Sequence, residues 1–217
     1  EVWSPASKKG LHRLTARVVA DTALTDPAII AFARLVVIGG DQNRLHEEII
    51  STGGFLKEGK FNRMNVGQVT NALQAATDQE PPAAMQQRLL DLYPRIIPSL
   101  SSALEARCKD RMDGIQKLLT ERSEFESRSI ESVLNELASS IRQELDEPEV
   151  LQLELFTSEE KEQLNRNMDA LRRRLAAIPG EIEQEKAAIQ KRFSDPRTRM
   201  FPVAVVILIP YRLASMK

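Results

Sequence analysis

The sequence predicts a mainly α protein: a small helical subdomain, a long antiparallel coiled-coil hairpin, and a minor β element formed by a C-terminal strand. Three observations carry this reading. From Ser99 to Leu145 there is no proline and one glycine, Gly114, while apolar residues recur at steps of three and four, which marks one face of a helix. Downstream, Leu164, Met168, Leu171, Leu175, Ile178 and Ile182 step +4, +3, +4, +3, +4, the a/d seam of a coiled coil. The chain then turns to "MFPVAVVILIP", residues 200 to 210, with no charge at all. The domain boundaries that follow are 1–97 for the helical subdomain with an irregular start, 98–195 for the hairpin, and 196–217 for the strand segment returning to a globular base.

Within residues 1–25, Trp3 and Pro5 read as irregular, and "LHRLTARVVA" is open to a short strand or a helix start. "TDPAIIAFARLVVIGG" carries helix punctuation: Thr25 or Asp26 as N-cap, Pro27 in the first turn, Gly39-Gly40 as a stop. "DQNRLHEEIISTGG" repeats the pattern with Asp41 and Gly53-Gly54. "NVGQVTNALQAATD" makes a third helix capped by Asn65, and "PPAAMQQRLLDLY" a fourth, closed by Pro94. Short helices joined by Gly and Pro loops suggest a compact helical subdomain over about 25–95.

The long helix carries one stripe at Leu100, Leu104, Cys108, Met112, Ile115 and Leu119, and another at Ile130, Val133, Leu137, Ile141 and Leu145. Between them "ERSEFESRS" is polar except for Phe125. At 1.5 Å per residue such a helix is roughly 70 Å long and needs a partner. Pro148 breaks it, and Thr157 with Glu160 has the spacing of a capping box that opens the return helix. A linker of about a dozen residues lets that helix run back antiparallel, burying Leu119, Ile130, Leu137, Leu171 and Leu175. Ile189 follows the seam one heptad after Ile182; Pro179-Gly180 interrupts it without changing its apolar phase, which predicts a kink.

In the final run Val203, Val205, Ile207 and Ile209 alternate with Ala204, Val206 and Leu208. Both faces are apolar and β-branched residues dominate, as in a strand buried on both sides of a sheet. Its partners lie either in the first 25 residues or outside this chain. The run is about half the ~20 residues of a membrane-spanning helix, and Pro202 and Pro210 bracket it, so a membrane anchor is set aside.

The 217 residues are 42% apolar, 28% charged and 5% aromatic, with a formal net charge of −1. No global field draws the protein to nucleic acid or lipid, and any such contact needs a local patch. The one cysteine, Cys108, excludes an internal disulfide and fits a reducing, cytoplasmic compartment; on the helical stripe it reads as an inert packing thiol. The start "EVWSPASKKGLHRL" lacks the apolar core of a signal peptide.

"GFLKEGKF" has the G-x-x-x-x-G-K spacing of a phosphate loop, but Phe61 stands where Ser or Thr would hold Mg²⁺, so an ordinary glycine turn is expected. "HEEII" is not the H-E-x-x-H zinc pattern, because Ile50 takes the second histidine's place. No residue is selected as catalytic, cofactor-binding or metal-ligating, and no cofactor is expected in this chain. The functional hint lies in basic clusters: Arg172, Arg173 and Arg174, Lys191 and Arg192, Arg197 and Arg199. Lys8, Lys9, Arg13 and Arg17 form another group. Such groups contact phosphates without sequence preference; the bland alternative is the solvated face of a coiled coil.

"LFTSEE", "ALRRRLAAIPGEIEQE" and "RFSDPRTRMFPVAVVILIP", within residues 150 to 210, resemble the C-terminal region of bacterial Swi/Snf-type helicases of the HepA/RapA-like group, which includes DrmD-like proteins of DISARM antiphage defence. The resemblance implies a DNA-dependent ATPase that translocates on double-stranded DNA. ATP and Mg²⁺ would then belong to motor lobes upstream, because no Walker-type or helicase motif occurs here. It implies a non-catalytic accessory region that touches DNA or a partner subunit, and it transfers no catalytic residue to this chain. The rival expectation is a stand-alone coiled-coil interaction scaffold without a motor; an enzyme with an unrecognised site ranks last.

Overall fold

A computed structural model describes residues 13–146 and 157–215. Trp3, Lys8, Lys9, Pro148 and most of the linker before Thr157 lie outside the described residues. The chain divides into two compact units. One comprises Glu1–Ile38, Arg44–Ile115 and Arg197–Lys217, and the other Gly39–Asn43 and Gln116–Pro196.

The first unit overturns the mainly α reading, because it is built on a five-stranded mixed sheet. Strands β1 (Arg13–Val19), β2 (Ala28–Ile38), β3 (Arg44–Lys57), β4 (Lys60–Arg63) and β5 (Arg197–Pro210) lie in the order β1-β5-β2-β3-β4. The C-terminal strand is an interior strand of this sheet, between β1 and β2. It runs parallel to β1, with Leu14 opposite Val205, and antiparallel to β2, with Ile29 opposite Ile207. Its partners are therefore the ambiguous N-terminal segment and a segment that had read as a helix.

The two first expected helices, over Thr25–Gly40 and Asp41–Gly54, are β2 and β3 instead. "AIIAFARLVVI" is apolar on both faces and rich in β-branched residues, and a continuous apolar run has no period with which to declare its geometry. The residues that looked like helix caps are turn residues: the Asp41 carboxylate accepts from the Asn43 backbone N–H at 2.9 Å, an Asx turn. Gly53 does not stop a helix. A Cβ there would lie 2.5 Å from the Ile29 carbonyl oxygen, so the close approach of neighbouring backbone requires glycine. The phosphate-loop-like stretch is the β3–β4 hairpin, whose turn residues Glu58 and Gly59 have φ of 51° and 75°, as a two-residue type I′ turn demands.

The faces of the sheet follow from the pairing. On one, Ile29, Ala31, Ala33, Leu35 and Val37 are completely buried. Helix α2 (Ala83–Asp146) belongs to this unit as far as Ile115. It covers that face with Leu89, Tyr93, Ile96, Leu100 and Leu104, all buried. The Arg111 guanidinium donates two 2.7 Å hydrogen bonds to Glu48, which sits opposite Leu35. The helix does not close at Pro94: both Pro94 and Pro98 lie inside it. Each proline removes a backbone hydrogen bond, but the buried stripe runs through both and offsets the loss. On the opposite face, α1 (Val66–Gln74) covers one end with Val69 and Ala72, packed with Val19, Ala28, Ile30 and Leu208. Asn65 caps α1 as expected, its side chain accepting from Gln68 N–H at 2.8 Å.

The second unit contains α2 from Gln116 and helix α3 (Ser158–Phe193), which pack antiparallel. Thr157 caps α3 through the expected box with Glu160. Leu134, Ala138, Ile141 and Ile178 form the buried core, joined by Ile130, Leu145, Leu171, Leu175 and Ile182. One register needs correcting. Val133 and Leu137, placed on the seam by the sequence, are 58% and 38% exposed, and Leu134 and Ala138 take their places. Lys186 occupies the seam step between Ile182 and Ile189, its Nζ donating to Glu131 at 3.0 Å. Pro179 lies within α3, which continues past it. The Gly40 backbone N–H donates to the Arg192 carbonyl at 3.2 Å, seating Gly39–Asn43 on the end of α3. No described helix is long and apolar enough to cross a membrane.

Candidate nucleic-acid interface

The basic residues singled out by the sequence do not form one patch. Arg172, Arg173 and Arg174 are consecutive on α3, so they point in three directions about 100° apart. Arg172 donates to Asp169 at 2.9 Å, Arg173 to the Asp169 backbone carbonyl at 3.3 Å, and Arg174 pairs with Glu181. Arg192 donates to Glu126 at 3.1 Å, and its Nε lies 3.7 Å from the Asp41 carboxylate. Lys191 is exposed. Much of the positive charge in this unit is thus already matched by carboxylates, as on an ordinary solvated coiled-coil surface. In the other unit, Arg17 pairs with Glu80 at 3.1 Å.

Arg197 and Arg199 belong to a different arrangement. They begin β5, and the register sets three cross-strand rows on the sheet face left uncovered by α1. Phe201 lies opposite Arg34, which lies opposite Ile49; Arg199 opposite Val36 and Val36 opposite Glu47; Arg197 opposite Ile38 and Ile38 opposite Arg44. Directly opposed residues of a sheet project to the same side. Arg34 and Arg44 both reach Glu47, which confirms that they share this side despite the bulge at Val37/Ile38.

Among the described residues of these three rows, four guanidinium groups stand against the one carboxylate of Glu47, a formal charge of +3 in a chain whose total is −1. Hydrogen bonding from Arg34 is the main cause that holds the Glu47 carboxyl below its ordinary range, so the acid stays ionised and keeps both arginines splayed along the surface. The face also exposes apolar groups: Phe201 is 48% and Ile49 60% exposed, beside Arg34 and Arg44 side chains that are 45% and 61% exposed. Guanidinium groups supply forked donors for phosphate oxygens, and an exposed ring flanked by arginine offers a surface for a sugar or base.

The sequence singles out Arg197 and Arg199 as a basic pair but not Arg34, Arg44 and Phe201, which the register sets beside them. The available signal was Arg34 itself, the one charge within the apolar strand "AIIAFARLVVI". Read with period two, it marks the side that meets water.

Glu48, on the covered face, is held below the ordinary carboxylate range chiefly by its hydrogen bonds from Arg111. Cys108 is partly buried, and burial raises its thiol pKa, keeping it protonated and unreactive. Among the described residues no group of three or more His, Cys, Asp or Glu side chains is arranged to hold a metal ion. Comparison with models of known protein families and with curated proteins gave no match to this chain.

Proposed function

We propose that this chain acts as a non-catalytic accessory region of a cytoplasmic ATP-dependent DNA helicase or translocase of bacterial antiphage defence, contacting double-stranded DNA or a partner subunit. The observation that supports DNA contact is the +3 sheet face of Arg34, Arg44, Arg197 and Arg199. The resemblance of residues 150 to 210 supports the translocase setting. The contact is electrostatic: arginines on a rigid sheet meet backbone phosphates and release counterions, without reading sequence. ATP hydrolysis is assigned to motor lobes, with ATP and Mg²⁺ held there.

Anisotropy of a labelled duplex, titrated from ~50 to ~200 mM salt, tests this. Four phosphate contacts give a slope of log Kobs against log salt of about −3 to −4. Arg197→Glu with Arg199→Glu should weaken binding at least ~100-fold at low salt and flatten that slope by about half. Arg172→Glu with Arg173→Glu and Arg174→Glu should change it far less. Salt-independent binding, or an unaltered Arg197/Arg199 double variant, ends this reading.

The second reading is a stand-alone coiled-coil interaction scaffold without a motor, favoured by one observation. Leu118, Phe125, Val133 and Leu137 are exposed along α2 in the hairpin unit, a set of apolar groups available to another helix. Sedimentation of the intact chain separates the readings: concentration-dependent association lost on Val133→Ser with Leu137→Ser, without DNA binding, supports the scaffold.

A further inference from the structure

The free edge of β3 borders a cavity whose chemistry differs from that of the arginine face. Strand β4 pairs with β3 only over Gly54–Lys57. Among the described residues, no strand lies beyond β3 on that side from Arg44 to Gly53. The Met64 backbone N–H donates to the Gly53 carbonyl at 2.8 Å. Backbone groups two residues apart in a strand point to the same side, so those of Ser51 also face this edge. Here a cavity of about 380 Å³ is lined by Ser51, Arg63, Asn65, Arg107 and Asp110, among others. It falls at the small end of the range for ligand sites, about 300–1,000 Å³.

Arg107 reaches this cavity from α2 and is partly buried. Its Nε is shielded from solvent and has no acceptor among the described residues. A guanidinium N–H withdrawn from water without an acceptor carries a desolvation cost, and an anion beside it removes that cost. Arg63 stands at the exposed mouth, and its one ion-pair contact among the described residues, with Asp110, is long at 3.5 Å. The end of α1 is not the anchor. The Asn65 side chain already accepts from Gln68 N–H, and the Gln68 side chain from Asn65 N–H. The cationic groups that remain are the two arginines, and Asp110 opposes them.

We propose that this cavity is a phosphate seat, with Arg107 as its floor and Arg63 as its mobile jaw. Phosphate matches the guanidinium fork with two parallel acceptors. Asp110 acts as a built-in competitor: Arg63 lies beside its carboxylate until a phosphate oxygen takes over. The seat does not depend on the DNA contact proposed for the arginine face. The same phosphate chemistry could come from a phosphorylated small molecule or from a nucleic-acid backbone.

Calorimetric titration of the full chain with inorganic pyrophosphate tests the seat. Binding should weaken about ten- to a hundredfold in Arg107→Gln, the loss of a charge-assisted hydrogen bond. Arg63→Gln, at an exposed position, should weaken it several-fold without affecting folding, so the test survives if the Arg107 variant fails to fold. Asp110→Asn should tighten binding, which a merely structural Asp110 would not do. No binding at millimolar pyrophosphate, or equal binding by wild type and Arg63→Gln, overturns the proposal. Displacement of pyrophosphate by duplex DNA would assign the seat to a nucleic-acid backbone. Independent binding of both would assign it to a free phosphorylated molecule, and either result supports the seat.

Discussion

The sheet and the helical hairpin solve the same burial problem with different ranges of contact. In the hairpin, Leu164, Met168, Leu171, Leu175, Ile178 and Ile189 of α3 are each less exposed than the residues on either side, and Ile182 is partly buried. The rule that places them is local and repeats every three or four residues. In the sheet, β1 is completed by β5, Leu14 meeting Val205 across almost the whole chain. Neither strand can bury its edges alone. The hairpin therefore tolerates reading one segment at a time, and the sheet does not.

That contrast can be broken or sharpened by measurement. The largest effect is expected in the sheet, where Leu35 is fully buried between β2's neighbours and α2. Leu35→Ala should cost about 3 kcal/mol, read as a lowered urea midpoint. A loss below about 1 kcal/mol would show that burial on this face does not hold the unit together. In the hairpin, Leu134→Ala should cost about 2 kcal/mol, because Leu134 sits in the core with Ile178. Leu137→Ala, three residues away and partly exposed, should cost under about 0.5 kcal/mol. Equal costs would mean that the seam follows the sequence-based register after all.

The smallest effect is electrostatic. Glu48 has its carboxyl held below the ordinary value of 4.5, first by the Arg111 hydrogen bonds. A depressed carboxylate contributes stability that is present above its unfolded pKa and is lost as pH falls through its folded pKa. Acid titration below about pH 4.5 should therefore remove about 1 kcal/mol. Glu48→Gln should lower stability at neutral pH and flatten that part of the profile. An unchanged acid limb would assign it to other carboxylates.

Much of the hairpin was legible, including the Thr157–Glu160 cap and the α3 seam. The α2 side was legible only approximately. Val133 and Leu137 are apolar and three- or four-spaced, so periodicity alone could not prefer Leu134 and Ala138. The end of the fourth helix was misplaced because Pro94 is a strong local breaker. Yet Leu89, Tyr93, Ile96, Leu100 and Leu104 keep helical spacing across it, and following that stripe would have carried the helix onward. The arginine face was half visible. Arg197 and Arg199 stand out as a basic group, whereas Arg34 and Arg44 become their neighbours only through the β5–β2–β3 register.

The sequence by itself determined the elements whose stabilising contacts recur within a turn or a heptad: the capped helix α1, the long helix and its antiparallel return; the strand at the end was marked only by its uncharged, β-branched composition. Only the tertiary structure decided that residues 28–57 are strands, which residues face water there, and that the terminal strand lies inside the sheet, between β1 and β2. The physical reason is the source of the deciding energy. A helix satisfies its backbone internally. A strand's hydrogen bonds and exposed side are set by neighbours that can lie anywhere in the chain, so a run such as "AIIAFARLVVI" takes its geometry from the sheet it joins.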